Sequence, residues 1–403
     1  MPASSSASEL SAARNIYSFG ITSFFNDTAT EMAYWVLPAF LVSLGAGPAK
    51  LGVIEGIAES VASFGQLFSG YLSDRLERRK PLVVAGYFVA NAVKPLLALV
   101  TAWWHILLIR FADRASKGLR AAPRDVMVAE SVGKQRLGSA YGLIQSLDSA
   151  GAIAGPLAAL VLLAHYSIRS VFWAAAIPGA LAVLVAWVGI RETKRRSFEP
   201  SKPKPLAKAV VAPMDSAKDL PASFYAVLTA VTIFSLGNSS DMFLVMRAQN
   251  VGIAVALAPL LGLVFNVTYT LGSWPAGWFS DRYSRRWIAA AGYMVFAAVY
   301  YVFGRAPSTL AIWISMAVYG VYYALTQPVL KALVVETVGQ EIRGRALGIY
   351  FFLTSVAALA ASLIAGELWK HLGPAVPFYL SAALAAVSAI MLLFTPTEKR
   401  SKE

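Results

Sequence analysis

The sequence predicts an all-α integral membrane protein: twelve transmembrane helices arranged as two pseudo-symmetric six-helix bundles. Of its 403 residues, 57% are hydrophobic and only 14% charged, against roughly 25% charged in a soluble domain. A short charged turn, Gly70-Tyr-Leu-Ser-Asp74-Arg75-Leu-Glu-Arg78-Arg79-Lys80, is written again as Gly277-Trp-Phe-Ser-Asp281-Arg282-Tyr-Ser-Arg285-Arg286, with each matched position 207 residues further on. Midway between the copies, a basic, proline-containing tract interrupts the hydrophobic pattern.

A bilayer span needs about 20 apolar residues. By that measure the spans fall at 15–44, 50–72, 81–101, 103–126, 138–163, 168–190, 223–247, 254–280, 286–304, 309–334, 344–370 and 374–395. The fourth is unusually polar. Loops after even-numbered spans hold most of the Lys and Arg, which places both termini in the cytoplasm. Residues 191–222, with Arg191, Lys194, Arg195 and Arg196 ahead of Pro200, Pro203 and Pro205, read as a cytoplasmic linker between bundles 1–190 and 223–403. Residues 1–13 are Ser- and Ala-rich, lack the basic and apolar regions of a signal peptide, and are expected as a short disordered tail.

The absence of cysteine excludes disulfides and thiolate chemistry. A net charge of +13 fits basic loops at an anionic membrane face, and no nucleic-acid motif accompanies it. No cofactor motif is present.

The repeat extends past the charged turn. Glu130-Ser-Val-Gly-Lys-Gln-Arg136 is echoed by Glu336-Thr-Val-Gly-Gln-Glu-Ile-Arg343. The turn itself resembles the signature loop of the major facilitator superfamily, G-x-x-x-D-R-x-x-R-R. Gly70 and Gly277 allow close approach of helix ends. Asp74 and Asp281 can accept hydrogen bonds from a neighbouring helix start. The resemblance implies a gating role for these residues together with Arg75, Arg78, Arg282, Arg285, Glu130, Arg136, Glu336 and Arg343. It also implies the major facilitator fold, and that spans 1, 4, 7 and 10 line a central path.

Charges inside spans are costly and mark functional candidates. Asp27 and Glu31 are four apart on one face of span 1. Two carboxylates so placed repel, a setting suited to proton coupling; the same pair reads equally as ion-paired locks. In the outer half, Glu59 is expected to pair with Lys94. Span 4 aligns Arg110, Asp113, Arg114, Lys117, Arg120 and Arg124 on one face. Its Arg114-Ala-Ser-Lys-Gly118 resembles the family's R-x-x-x-G element, in which the Arg is tied to proton transfer. Span 5 holds Gln145 and Asp148, then Gly151-Ala-Ile-Ala-Gly155-Pro156. That run resembles the antiporter element G-x-x-x-G-P-x-x-G-G without its last glycine pair, and reads either as an antiport marker or as helix packing. Asp148 is expected to face Arg114 or Asp27. Span 7 offers Asn238 and Asp241; span 10 offers Tyr319, Tyr322, Tyr323, Gln327 and Lys331.

These readings imply a secondary active transporter of the inner membrane, working as a monomer by alternating access. It would move a small polar or charged solute, coupled to protons and in the efflux direction. Metal-ion or metal-chelate (siderophore-like) transport is the alternative, since Asp27, Glu31, Asp148 and Asp241 could offer oxygen to a hard cation. A membrane receptor or enzyme is a third class, and no nucleophile–base pair supports it.

Overall fold

The computed structural model describes residues 3–75, 78–132, 137–193, 220–338 and 343–394. Every regular element among them is helical. The first half comprises α1 (Ala3–Tyr34), α2 (Leu37–Ser43), α3 (Pro48–Arg75), α4 (Lys80–Val93), a 3-10 turn (Pro95–Leu99), α5 (Trp103–Ser131), α6 (Leu137–Leu163), α7 (Ile168–Ala174) and α8 (Ala176–Gly189). After the linker come α9 (Ala222–Gly237), α10 (Met242–Asn250), a 3-10 turn (Val255–Leu257), α11 (Ala258–Arg282), α12 (Arg285–Arg305), α13 (Thr309–Glu336), α14 (Arg343–Leu372) and α15 (Val376–Phe394).

A helix or helix pair coincides with each of the twelve expected spans. Nine of these, among the described residues, are long and apolar enough to cross a membrane by length and composition. The remaining three expected spans fall on α1, α3 and α5, where charged residues lower the apolar content. Helix α1 begins at Ala3, inside the stretch expected as a disordered tail. Alanine is the best helix former, and Ala recurs through these residues. The tract 194–219, most of the expected linker, lies outside the described residues, as does Arg136.

Several spans are built from two helices, and the breaks have local causes. Pro95 lacks the N–H that would continue α4, so the chain tightens into a 3-10 turn. Pro178 similarly separates α7 from α8. The break between α9 and α10 has no proline. Its residues are Asn238, Ser239, Ser240 and Asp241, whose short polar side chains compete for backbone hydrogen bonds. Irregular backbone at membrane depth persists only where protein or a water-filled cavity satisfies it.

The chain divides into two compact units. One comprises Met1–Gly45, Val61–Pro203 and Ala254–Leu263; the other Ala46–Ser60, Lys204–Ile253 and Val264–Glu403. In the first, α1 packs most extensively on α6, with α8 and α5 beside it. Ile16, Phe19, Val83, Tyr87, Met127, Ile144 and Ile190 form part of its apolar core. In the second, α12 lies against α13 and α15, and α9 against α14 and α15.

Candidate functional site

The acids of α1 meet α6 because two glycines let the helices touch. A Cβ on Gly155 would stand 2.6 Å from the Thr28 carbonyl oxygen and 2.8 Å from Glu31 Cβ, and one on Gly151 would overlap the Phe24 backbone. The antiporter-like run is thus the seat of α6 on α1. It carries Asp148 into hydrogen-bonding reach of Asp27, one of the two expected facings.

From Asp27 a chain of polar groups crosses three helices. The Asn26 amide donates to Asp27 Oδ1 (2.9 Å), and Asn91 Nδ2 donates to Asn26 Oδ1 (3.1 Å). Lys94 Nζ donates to Asn91 Oδ1 (3.1 Å) and pairs with Asp113 at 3.7 Å. Arg110 pairs with the same carboxylate at 3.8 Å and lies over the Tyr34 ring. Lys94, Arg110 and Asp113 are all buried, and with Tyr34 and Thr30 they line a small cleft. Where Glu59 was the expected partner, Lys94 meets Asp113. Helix α4 turns Lys94 towards α5, and Glu59 belongs to the other unit.

Arg114 is buried, within electrostatic reach of Asp113 and Glu31. Asp148 has Arg124 and Lys117 as its cationic neighbours and accepts from the exposed Gln145 amide at 3.4 Å. Glu31 accepts a 2.6 Å hydrogen bond from the Trp35 indole. That indole lies against Gly262 at the start of α11, where any Cβ would overlap the ring. Trp35 and Gly262 were invisible as site residues in the sequence. The only available signal was an indole four residues beyond an intramembrane acid.

In the second unit Asp241 stands at the break before α10. Its Oδ1 accepts from the Tyr319 hydroxyl at 2.6 Å and its Oδ2 from Tyr323 at 3.1 Å. Tyr322, between them in sequence, instead stacks on Tyr319 and packs against Phe296 edge-on and Phe234 at a tilt. Glu55 and Glu59 of α3 lie in electrostatic reach of Asp241, and Ser240 donates to Glu55 at 3.1 Å. Asn238 Oδ1 is buried with no hydrogen-bond partner among the described residues. Gln327 is exposed, and the Lys331 side chain lies outside the described residues. Among the described residues, no three acids or histidines converge as metal ligands.

The charged turns form two equivalent pairs. Arg79 Nη1 donates to both oxygens of Glu130 (2.8 and 2.9 Å), and Arg285 binds Glu336. Both pairs span 51 residues. In the first copy the second Arg of the basic doublet makes the bond and Arg78 is exposed; in the second copy it is the first Arg, Arg285. Glu130 also accepts from Thr193 at 2.5 Å. The start of α4 is capped by Glu192, which accepts from the backbone N–H groups of Arg79 (2.9 Å) and Lys80 (3.1 Å). An anion there satisfies orphan donors and complements the helix dipole, the task expected of Asp74. The side chains of Asp74, Arg75, Asp281 and Arg343 lie outside the described residues, as do the surroundings of Gly70 and Gly277; Arg282 is exposed.

Paired helical units with intramembrane acids held by hydroxyls, amides and cations are the architecture of a secondary transporter. The chain belongs to the Major Facilitator Superfamily, whose family model matches residues 19–248 and 222–403. It is 32% identical over 389 residues to an MFS-type transporter of Methanocaldococcus jannaschii, covering 94% of each chain. It is 22% identical to the multidrug resistance protein MdtG of Enterobacter lignolyticus, covering 94% of this chain and 91% of that one. Among solved structures, a variant of the nucleoside transporter NupG shares the fold with a TM-score of 0.79 at 14% identity, covering 94% of this chain and 98% of that one.

Proposed function

We propose that this transporter is coupled to protons and exports a small polar or charged solute across the inner membrane, with both termini cytoplasmic. Two six-helix halves, 1–190 and 223–403, joined by the linker 191–222, alternate access as a monomer. The observation that carries the coupling is the Asp27–Asp148 carboxyl pair. Two half-buried carboxyl groups in hydrogen-bonding reach hold one proton between them, because like charges at that distance repel strongly. Loss of the proton leaves two anions, which Lys117 and Arg124 near Asp148 and the Asn26–Asn91–Lys94 chain near Asp27 must stabilise. That redistribution reaches Asp113 and Arg110 and so alters how α1, α4 and α5 hold one another.

At the ends of the helices, the Arg79–Glu130 and Arg285–Glu336 pairs and the repeated Asp74 and Asp281 turns hold one state of the cycle. The outward direction is supported by the antiporter-like run and by the resemblance to a multidrug resistance protein.

The test uses everted inner-membrane vesicles with a respiration-driven proton gradient reported by an acridine dye. A solute panel added to vesicles bearing the full chain should include members that release protons. Asp27→Asn and Asp148→Asn should lose that release while retaining solute exchange. A solute carried by the wild-type chain at a rate indifferent to the gradient would overturn the coupling.

A further inference from the structure

The coupling reading leaves open how Asp27 is held for its exchange with Asp148, and the amides beside it bear on this. Asn91 makes three hydrogen bonds. Its Oδ1 accepts from the Lys94 ammonium at 3.1 Å, and its Nδ2 donates to the Tyr87 carbonyl at 2.9 Å and to Asn26 Oδ1 at 3.1 Å. Two of these partners permit one orientation only. An ammonium donates and never accepts, and a backbone carbonyl accepts and never donates. The Asn91 amide therefore cannot turn over. With its nitrogen fixed towards α1, Asn26 must answer with its oxygen, which leaves the Asn26 nitrogen for Asp27 Oδ1 at 2.9 Å. Every hydrogen bond in this row runs the same way, from the cation at the end of α4 to the carboxyl on α1.

Asn26, Asn91 and Lys94 are all buried, where an unmatched amide is costly. Helix α8 makes room for the middle member: a Cβ on Gly179 would stand 3.1 Å from Asn91 Cβ and 3.2 Å from its Oδ1. Aligned hydrogen bonds polarise one another, so the ammonium is felt at the far end of the row. The charged groups around Asp27 are Glu31 on its own helix, Lys94 at the end of α4 and Asp148 on α6. Helix α5 presents Arg114 and Lys117 to Glu31, and Lys117 and Arg124 to Asp148. Helix α8 carries no charged residue.

We infer that Asn91 is a positioning residue for the proton site. By fixing the direction of the row it makes Asp27 Oδ1 a standing acceptor, and leaves Oδ2 as the oxygen that shares a proton with Asp148. When that proton goes, the charge left on Asp27 faces the donor end of a row anchored on an ammonium. Were the row reversed, Asn26 would turn its oxygen to Asp27, and only a protonated Asp27 could satisfy it. This inference rests on the coupling reading for calling the exchange transport-linked; the direction of the row stands on geometry alone.

The test reverses the row. Asn91→Asp keeps the shape and the bond to Lys94, but a carboxylate cannot donate to Asn26, which must then present its nitrogen to α4 and its oxygen to Asp27. In the everted vesicles proton release should fall at least tenfold while solute exchange persists. Asn91→Leu removes the row without reversing it and should lower release only severalfold. An amide that merely glues α4 to α1 gives the opposite order, because Asn91→Leu loses every bond and Asn91→Asp keeps the one to Lys94. Infrared spectra of the purified full chain give a readout without transport. The carboxyl C=O band that Asp27→Asn removes should move to higher frequency in Asn91→Asp, where Asp27 no longer accepts an N–H. Asn26→Leu removes the last donor and should move the same band the same way, which decides the matter if Asn91→Asp fails to fold. Release in Asn91→Asp equal to or above that in Asn91→Leu, or an unmoved band in either Asn91→Asp or Asn26→Leu, would overturn the inference. A moved band in a chain that carries its solute indifferently to the gradient would sink the coupling and leave the positioning role standing.

Discussion

In the first unit the acids of α1 sit among cations and amides: Asp27 beside Asp148, Glu31 near Arg114 and Lys117, Asp113 between Lys94 and Arg110. In the second unit the acid of the corresponding span, Asp241, sits among tyrosine hydroxyls and rings. The two halves repeat the same turns at the same spacing, yet their interiors hold opposite company for a carboxylate. A group that exchanges a proton needs charged neighbours able to take up the change when the proton leaves. One repeated scaffold therefore gives a carboxylate two different environments, of which the first suits the proton exchange proposed above.

The most severe way to break this contrast is to neutralise the first unit's carboxyl pair. Asp27→Asn should reduce gradient-driven transport to background, and Asp148→Asn should match it, because each removes half of one shared-proton site. The corresponding change in the second unit, Asp241→Asn, alters the acceptor of Tyr319 and Tyr323 and should leave proton exchange at the first unit measurable. Solute exchange and proton release, recorded on the same vesicles, separate the two. Loss of proton release alone in Asp241→Asn would erase the contrast.

The signature turns sharpen the comparison at the level of stability. Arg79 and Glu130 are 9% and 14% exposed, and their pair is bidentate and braced by Thr193 and Ser73. Arg285 and Glu336 are 27% and 42% exposed. Removing one partner of a buried pair strands the other charge, at about 3–5 kcal/mol; an exposed pair contributes about 0–1 kcal/mol. Arg79→Ala should therefore lower the thermal midpoint of the purified protein well below that of Arg285→Ala, which should stay close to wild type. Equal shifts would mean that the two turns are equally buried in the working protein.

What the sequence carried and what it hid follow from the same physics. Span positions were legible because apolar runs of bilayer length are a strong signal, and the repeat exposed the turns. Rotation about each helix axis was not legible. Glu59 and Lys94 fall in consecutive expected spans, but α4 turns Lys94 to Asp113, 19 residues on in α5. Tyr322 and Tyr323 are three and four residues past Tyr319, both neighbours of it on a helix surface, and only coordinates show that 323 reaches Asp241 while 322 packs into the ring cluster. Glu192 caps α4 from 112 residues away, a distance over which no local pattern operates.

The finest test concerns Trp35, which ties Glu31 to α11 within the first unit. Its indole N–H donates to the Glu31 carboxyl at 2.6 Å while the ring fills the space that Gly262 leaves. A hydrogen bond to a charged group contributes about 1.5–3 kcal/mol, so Trp35→Phe should destabilise by roughly that amount. Gly262→Ala forces a methyl into the indole, and overpacking costs about 1–3 kcal/mol. If the glycine exists to seat this tryptophan, the two effects must not add. Once Phe has replaced the larger indole, the alanine methyl meets less of an obstacle, and the double variant should be more stable than the sum of the single losses implies, by about 0.5 kcal/mol or more. Thermal unfolding of the four proteins in one detergent measures this coupling. Strict additivity would mean that Gly262 and Trp35 act separately, leaving Glu31 held by its indole alone and indifferent to α11.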